Sequence, residues 1–324
     1  MNEKISLNGE VPFELSGYRL DQAIAEMFPD YSRSRLKGWI QDGRVKVNNN
    51  VVEKPREKLL GGETIEIDGE LEAEVRWEAE DISLDIIYED NDILVVNKPA
   101  GLVVHPGAGN PQGTMLNALL HHYPEIATVP RAGIVHRLDK DTTGLMVVAK
   151  NVTAQTDLVS QLQDKSVTRE YEAIAIGIMT AGGVVDAPIG RHPTKRTHMA
   201  VTELGKEAVT HYRVMEKYRK HTRIRLRLET GRTHQIRVHM AHINHILVGD
   251  PVYGGRVRPP KGASQELLDA LRAFKRQALH AAKLSLVHPS SGELMSWEAP
   301  LPEDMVELNR LFKQDRKDNP VEYY

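Results

Sequence analysis

The chain has 324 residues, 40% of them apolar and 27% charged, with a mean hydropathy of −0.41; that is enough for two domains, and no apolar run approaches the roughly 20 residues that span a bilayer. The absence of cysteine excludes disulfides, thiolate metal sites and thiol nucleophiles. The net charge of −3 hides an asymmetry: thirteen acids and one base lie between Glu63 and Asp92, while fifteen lysines and arginines face five acids between Arg191 and Arg258. A basic region of that size favours a polyanionic partner. The start, MNEKISLNGEVPF, lacks the apolar segment of a signal peptide, so a cytoplasmic protein is expected.

In chain order, Leu20, Ile24, Met27 and Phe28 recur at helical spacing, and Pro29 stops that helix. Ser32 is a good N-cap for a second helix through Gln41, with Gly43 closing it. The run 44-RVKVNNNVV-52 reads as a hairpin turning at its asparagines, and 63-ETIEI-67 as a short strand. Two small helices followed by a hairpin, with SRSRLKGWIQDGRVKVN, resemble the S4 RNA-binding fold over roughly residues 16 to 68. The resemblance implies that Arg19, Arg33, Lys37 and Lys46 contact an RNA backbone. Glu70 to Asp81 is acidic and lacks apolar spacing, as a linker does. The S4-like domain with this linker is therefore expected over residues 1–75 and a second domain over 76–324, its pattern opening at Ile82.

In the second domain, 84-LDIIYED-90 and 93-ILVVNKPAGLVVHPG-107 suggest paired strands, and Thr114 caps a helix that runs to His122. The stretch 131-RAGIVHRLDKDTTGLMVVAK-150 then sets Asp139 between a basic lead-in and the apolar strand Leu145 to Ala149. A carboxylate held there in ionised form needs a fixed cation or several donors. Thr153 to Gln163 reads as a helix. In 168-TREYEAIAIG-177, a strand, Tyr171, Ala173 and Ala175 share one face. The Pro-containing basic segment Arg191 to Thr197 reads as a loop against phosphates. Strands recur at 208–215 and 222–230, the latter with Arg223, Arg225 and Arg227 on one face, read as strongly cationic. In 230-TGRTHQIRVHMAHINH-245, Thr233 is the expected cap of a helix carrying Ile236, Met240 and Ile243. Its four histidines lack the acids or cysteines that complete a usual ligand set, so no metal is expected. An amphipathic helix from Pro302 to Lys317 closes the chain.

NKPAGLVVHPG, HRLDKDTTG, REYEA, GRTHQIR, HILVGDPVYGG and ALHAAKLSLVHP together resemble the motifs of the pseudouridine synthases, specifically the branch acting on ribosomal large-subunit RNA. Ser is commoner in that branch where Thr143 stands; the hydroxyl is kept. The resemblance implies an α+β protein: an S4 module plus a catalytic domain with a mixed, mainly antiparallel sheet and flanking helices. It implies that Asp139 is the catalytic aspartate, that Arg237 pairs with it, that Tyr171 stacks on the target base, and that Arg137 holds the flipped base out of the stack or fills its place. Arg232 is the rival cation on chemistry alone. The expected substrate is 23S rRNA or a large-subunit precursor, with no cofactor and no obligatory protein partner. A glycosidase would need a second carboxylate, and Asp141, two positions along the same turn, is poorly placed to be aimed independently. A non-catalytic assembly factor would leave Asp139, Tyr171 and Arg237 without a purpose.

Overall fold

The computed structural model describes residues 3–320 except 30, 32, 72–76, 108 and 196. Its contacts divide the chain into two compact units, Met1–Arg76 and Trp77–Tyr324.

The first unit contains β1 (Glu3–Glu10), α1 (Leu20–Met27), α2 (Arg33–Gln41), β2 (Val45–Val47), β3 (Asn50–Val51) and β4 (Thr64–Leu71). Its sheet runs β1-β4-β2-β3, all antiparallel. The asparagine turn is built as expected: Asn48 and Asn49 take φ of 49° and 67°, which suits their short polar side chains. The Asn48 side chain also accepts from the Thr64 amide at 2.9 Å, tying the turn to β4. Leu20, Ile24, Leu36, Ile40, Val45, Ile65 and Ile67 form a core with no exposed surface. The Ser32 cap lies outside the described residues, as do residues 72–76 of the acidic linker, whose first residues, Glu70 and Leu71, end β4 and whose Glu78 and Glu80 backbones bond to Asn117. β1, which pairs with the whole of β4, was not foreseen.

The second unit continues with β5 (Ile86–Glu89), β6 (Ile93–Lys98), α3 (Met115–His122), β7 (Thr143–Ala149), α4 (Val152–Gln163), β8 (Thr168–Ile176), β9 (Gly183–Asp186), β10 (Ile189–Arg191) and β11 (Met199–Val201). It ends with β12 (Val209–Lys217), β13 (His221–Leu228), α5 (Gln235–His242), α6 (Gln265–Ala273), β14 (Leu279–Val287), β15 (Leu294–Glu298) and α7 (Glu303–Asp318). Nine strands form one sheet in the order β5-β6-β7-β14-β8-β13-β12-β9, with β15 on β14. Every pairing is antiparallel except β7 with β14. This is the mixed, mainly antiparallel α+β architecture expected. β7 is buried along its whole length because the sheet is covered on both faces. Met146 and Val148 pack toward α3 on one side, and Leu145 and Val147 toward α4 on the other. At the start of β7, Gly144 has φ 113°, and a Cβ there would sit 2.3 Å from the Ala281 carbonyl, so the parallel approach of β14 requires glycine.

The arginine face of β13 is not the free cationic surface the alternation suggested. Glu172 of β8 lies opposite Arg225 and receives Arg223 Nε at 2.9 Å and Arg225 Nη2 at 2.6 Å. Glu170 stands 3.6 Å from Arg225. The neighbouring strand supplies the acids, and periodicity within β13 carries no information about it.

α7 closes the sheet near β8, with Met305, Leu308, Leu311 and Phe312 buried beside Ile174. Under it His221 is 1% exposed, its ring 4.3 Å from that of Phe312. Burial pulls its pKa down to about 4. Unfolded, an imidazole titrates near 6.5. As pH falls through the window from about 6.5 to 4 the unfolded state binds the proton first, so stability is lost on acidification. The expected loss at this one site is about 3 kcal/mol across the window, at about 1.4 kcal/mol per pH unit. Urea midpoints measured between pH 7 and 4.5 should fall less steeply for His221→Phe than for the unsubstituted protein; parallel slopes would refute the assignment.

Candidate active site

Asp139 sits in the loop between a turn at Pro130–Gly133 and β7. That loop is fastened from several sides. Lys98, fully buried at the end of β6, donates to the carbonyls of Pro99, Leu102 and Lys140 at 2.8–2.9 Å. Burial pulls its pKa down to about 7, while Asp141 and Asp139 pull the other way. Gln277 donates to the Thr142 hydroxyl at 2.9 Å, and the Thr142 amide closes the turn onto the Asp139 carbonyl at 3.1 Å. His136 Nε2 accepts the Val147 amide at 3.1 Å. Desolvation, with the Arg169 charge nearby, pulls that imidazole down to about 3, so it stays a neutral acceptor. Thr143 meets His280 Nδ1 at 2.8 Å, which gives His280 a place in joining β7 to β14.

The Asp139 side chain is 17% exposed, and its Oδ2 receives Arg237 Nη1 at 2.9 Å. Of the two arginines in GRTHQIR, the fold thus brings Arg237 to the carboxylate. Arg232 instead donates Nε to the Glu207 carbonyl. Arg237 is held from behind by Asp250, which takes Nε at 2.7 Å and Nη2 at 2.9 Å in a bidentate pair. Burial opposes the Arg237 charge, but the hydrogen bonds and charge of Asp250, then of Asp139, keep its pKa above the ordinary value. Burial would push the Asp250 carboxyl up; Arg237 outweighs this and holds it below the usual range. Asp250 also accepts the Val252 and Tyr253 amides, which fixes the turn after it.

The helix α5 does not start at a Thr233 cap. His234 occupies the N-cap position at φ 56°, in the left-handed region, with no side-chain cap. The Gln235 side chain ties down the lead-in instead, accepting from the Thr230 hydroxyl and the Arg232 amide. His234 Nδ1 lies 2.8 Å from the Tyr253 hydroxyl and its Nε2 3.9 Å from Asp139 Oδ1. Burial lowers its pKa, so it is a neutral neighbour of the acid. His239 is engaged by Thr210 and the Ala187 carbonyl, and His245 by the Ile176 carbonyl, so the histidines of this segment do not converge on one point.

Beside Asp139 opens a cavity of about 610 Å³, within the range of small-molecule sites. Tyr171 lines it and is 5% exposed, with burial raising its pKa. Arg137 lines it too and is exposed, as is Arg131. His105, edge-on to Trp77 at 5.4 Å, contributes a buried Nε2 without a hydrogen-bond partner. An aspartate clamped by guanidinium at the wall of an apolar-floored cavity, with an aromatic ring beside it, can act on a sugar carbon while a planar base occupies the hollow.

In the first unit, Arg19 and Lys37 line one groove, joined by Lys54 and Arg56, which the sequence reading did not single out. Arg19 is paired to Asp21, with Nε at 3.0 Å. Arg33 is exposed and 3.4 Å from Glu26. Lys46 stands apart from the groove, 3.9 Å from Glu66 and 3.8 Å from Asp68, so acids on β4 offset its charge.

Residues 92–242 match the family described as RNA pseudouridylate synthase, and residues 19–65 match the S4 domain. The chain is 67% identical over 322 residues to "Ribosomal large subunit pseudouridine synthase D" of Escherichia coli (strain K12), covering 99% of each. It is 66% identical over 312 residues to the protein of that name from Pasteurella multocida, covering 96% of each. Among solved structures it is similar to human RNA pseudouridylate synthase domain containing 1, at 26% identity and a TM-score of 0.55, covering 72% of this chain and 89% of that one.

Proposed function

The chain belongs to the RNA pseudouridine synthase family, and from that premise we propose that it isomerises uridines of 23S ribosomal RNA, several of them in one intersubunit stem-loop, during large-subunit maturation in the cytoplasm. The observation that carries this reading is Asp139 pinned by Arg237 at the edge of a cavity that Tyr171 lines.

Isomerisation breaks the bond from C1′ of the ribose to N1, turns the uracil in place, and joins C1′ to C5. Asp139 supplies the carboxylate, either as nucleophile at C1′ or as base at C2′. Arg237 aims it through a charge-assisted hydrogen bond. Tyr171 replaces the stacking the base loses when it leaves the helix, and Arg137 at the rim fills the place it vacates. The chemistry needs no cofactor and no protein partner. Residues 1–75 form the S4 module and its linker, which bind the RNA through Arg19, Arg33, Lys37 and Lys46, and residues 76–324 form the catalytic domain. Arg19 and Lys37 are the best placed of the four because they share a basic groove, while Lys46 is the weakest candidate given its acids.

Mapping pseudouridines in 23S rRNA from cells lacking the protein tests the reading. The expected result is loss of a few closely spaced pseudouridines in one stem-loop, restored by the intact gene. A map identical to that of the parent strain would sink it.

A further inference from the structure

Of the two buried arginines that line the cavity, Arg169 and Arg237, the chemistry above assigns no part to Arg169. Arg169 is 7% exposed and lines the cavity with Asp139 and Tyr171. The other two arginines buried in this unit have acids: Arg237 has Asp139 and Asp250, and Arg276 has Asp304. Arg169 has no carboxylate within ion-pair distance among the described residues. Its Nη2 donates to the Glu229 carbonyl at 3.1 Å, and its buried Nε has no partner at all. Burial pulls its pKa down, with only the Tyr171 phenol working the other way. An uncompensated buried guanidinium is costly, and such a charge is tolerated where an anion arrives during function.

The surroundings say which anion. Arg169 lies two residues before Tyr171 on β8, so both side chains leave the same face of the sheet, while Glu170 and Glu172 leave the other and meet the arginines of β13. A Cβ on Gly231 would fall 2.9 Å from Arg169 Nη1, so glycine at that position keeps space open for the guanidinium. Phosphates are the natural ligands of the exposed Arg131 at the rim, and Arg137 beside it already has its part in the vacated stack. A cation sunk in the wall beside the stacking ring is placed for the base instead.

We propose that Arg169 is a catalytic residue that stabilises the detached uracil as an anion. This rests on the isomerase reading above. When C1′–N1 breaks, the bond pair stays on N1, and the negative charge spreads over N1, O2 and O4. C1′ is satisfied by a bond from the Asp139 oxygen, or by the C2′–H pair as its proton passes to Asp139. The uracil then turns and C5 bonds to C1′ as the C1′–O bond to Asp139 breaks and its pair returns to the carboxylate, or as C2′ takes its proton back from Asp139; C5 then loses its proton and N1 gains one. Throughout the turning step the base carries a full charge, and a guanidinium fixed in the cavity wall needs no reorganisation to hold it.

The test is single-turnover kinetics with saturating enzyme on a rRNA fragment, alongside RNA affinity as a function of salt. Arg169→Gln is expected to slow the reaction about 10²–10³-fold, with affinity within about threefold and the salt slope unchanged. Arg169→Lys should recover about a tenth or more of the lost rate. On RNA carrying 5-fluorouridine at the target, the loss on Arg169→Gln should shrink at least tenfold in the rate of C1′–N1 cleavage, since fluorine acidifies the leaving base. An unchanged rate, a loss confined to affinity with a shallower salt slope (a phosphate contact), or equal losses on uridine and fluorouridine (a structural role) would each overturn the proposal. Should Arg169→Gln fail to fold, Arg169→Lys takes the same fluorouridine comparison. Asp139→Asn run in parallel separates the two levels: its full activity would remove the isomerase reading, whereas an inert Asp139→Asn beside a fully active Arg169→Gln removes only this inference.

Discussion

Asp139→Asn is expected to abolish isomerisation, by at least about four orders of magnitude in single-turnover rate, while RNA affinity stays within about threefold. The size follows from the role: a group that bonds to the reacting carbon or takes its proton has no substitute in an amide, and loss of a nucleophile or its base typically costs that much or more. The fold should survive, and the geometry says why. Asparagine has the same shape, the side chain is 17% exposed, and the guanidinium it releases still has both oxygens of Asp250. The melting temperature is therefore expected within a few degrees of the parent. Unimpaired turnover would refute the catalytic assignment, and a collapsed fold would refute the claim that Asp250 alone satisfies Arg237.

Asp139 stood out in the sequence as a carboxylate in a basic turn before a buried strand, whereas Arg237 was preferred to Arg232 by resemblance to the GRTHQIR motif alone, the two being equal on local chemistry. What lies behind them was not legible. Asp250 reads locally as a turn residue before proline, and indeed accepts two amides of that turn; its larger part, clamping Arg237, exists only because residues after α5 fold back along it. Arg169 carries no local signal, because the lack of a counter-charge is visible only once every neighbour is known. The same limit produced the error at β13, whose Arg223 and Arg225 are neutralised from β8 while Arg227 stays exposed. β1 had a usable signal: Ile5, Leu7 and Gly9 are half-buried and alternate with exposed Ser6, Asn8 and Glu10. In the S4-like unit, the helices and the asparagine hairpin followed from apolar spacing and turn chemistry, whereas the contribution of Lys54 and Arg56 to the groove depends on the fastening of that segment to α1, where the Leu20 and Asp21 amides donate to the Glu57 and Pro55 carbonyls.

Asp250→Leu is expected to damage the protein in two separable ways. It strands Arg237, 5% exposed at the side chain, with Asp139 as its remaining acid, and breaking one side of a buried pair costs about 3–5 kcal/mol. For a domain of this size that corresponds to a melting temperature lower by about 10 °C. Activity should fall further than stability accounts for: at temperatures where the variant is fully folded, the single-turnover rate is expected about 10²-fold or more below the parent, because a guanidinium freed at Nε and Nη2 no longer aims Asp139, and small errors of aim are expensive. Adding Arg237→Met distinguishes the two effects. Removing both charges no longer strands a guanidinium and leaves only Asp139, 17% exposed, without its cation, so the double variant should recover part of the lost stability, short of all of it since Asp139 and the Val252 and Tyr253 amides lack their partners. Its activity should not recover, because Asp139 then has no guanidinium at all. Thermal melts and single-turnover rates on the four proteins of the cycle decide the matter. If the double variant melts no higher than Asp250→Leu, the stranded charge is not the source of the instability; if its rate returns with its stability, Asp250 acts on the fold and not on the aim of the catalytic acid.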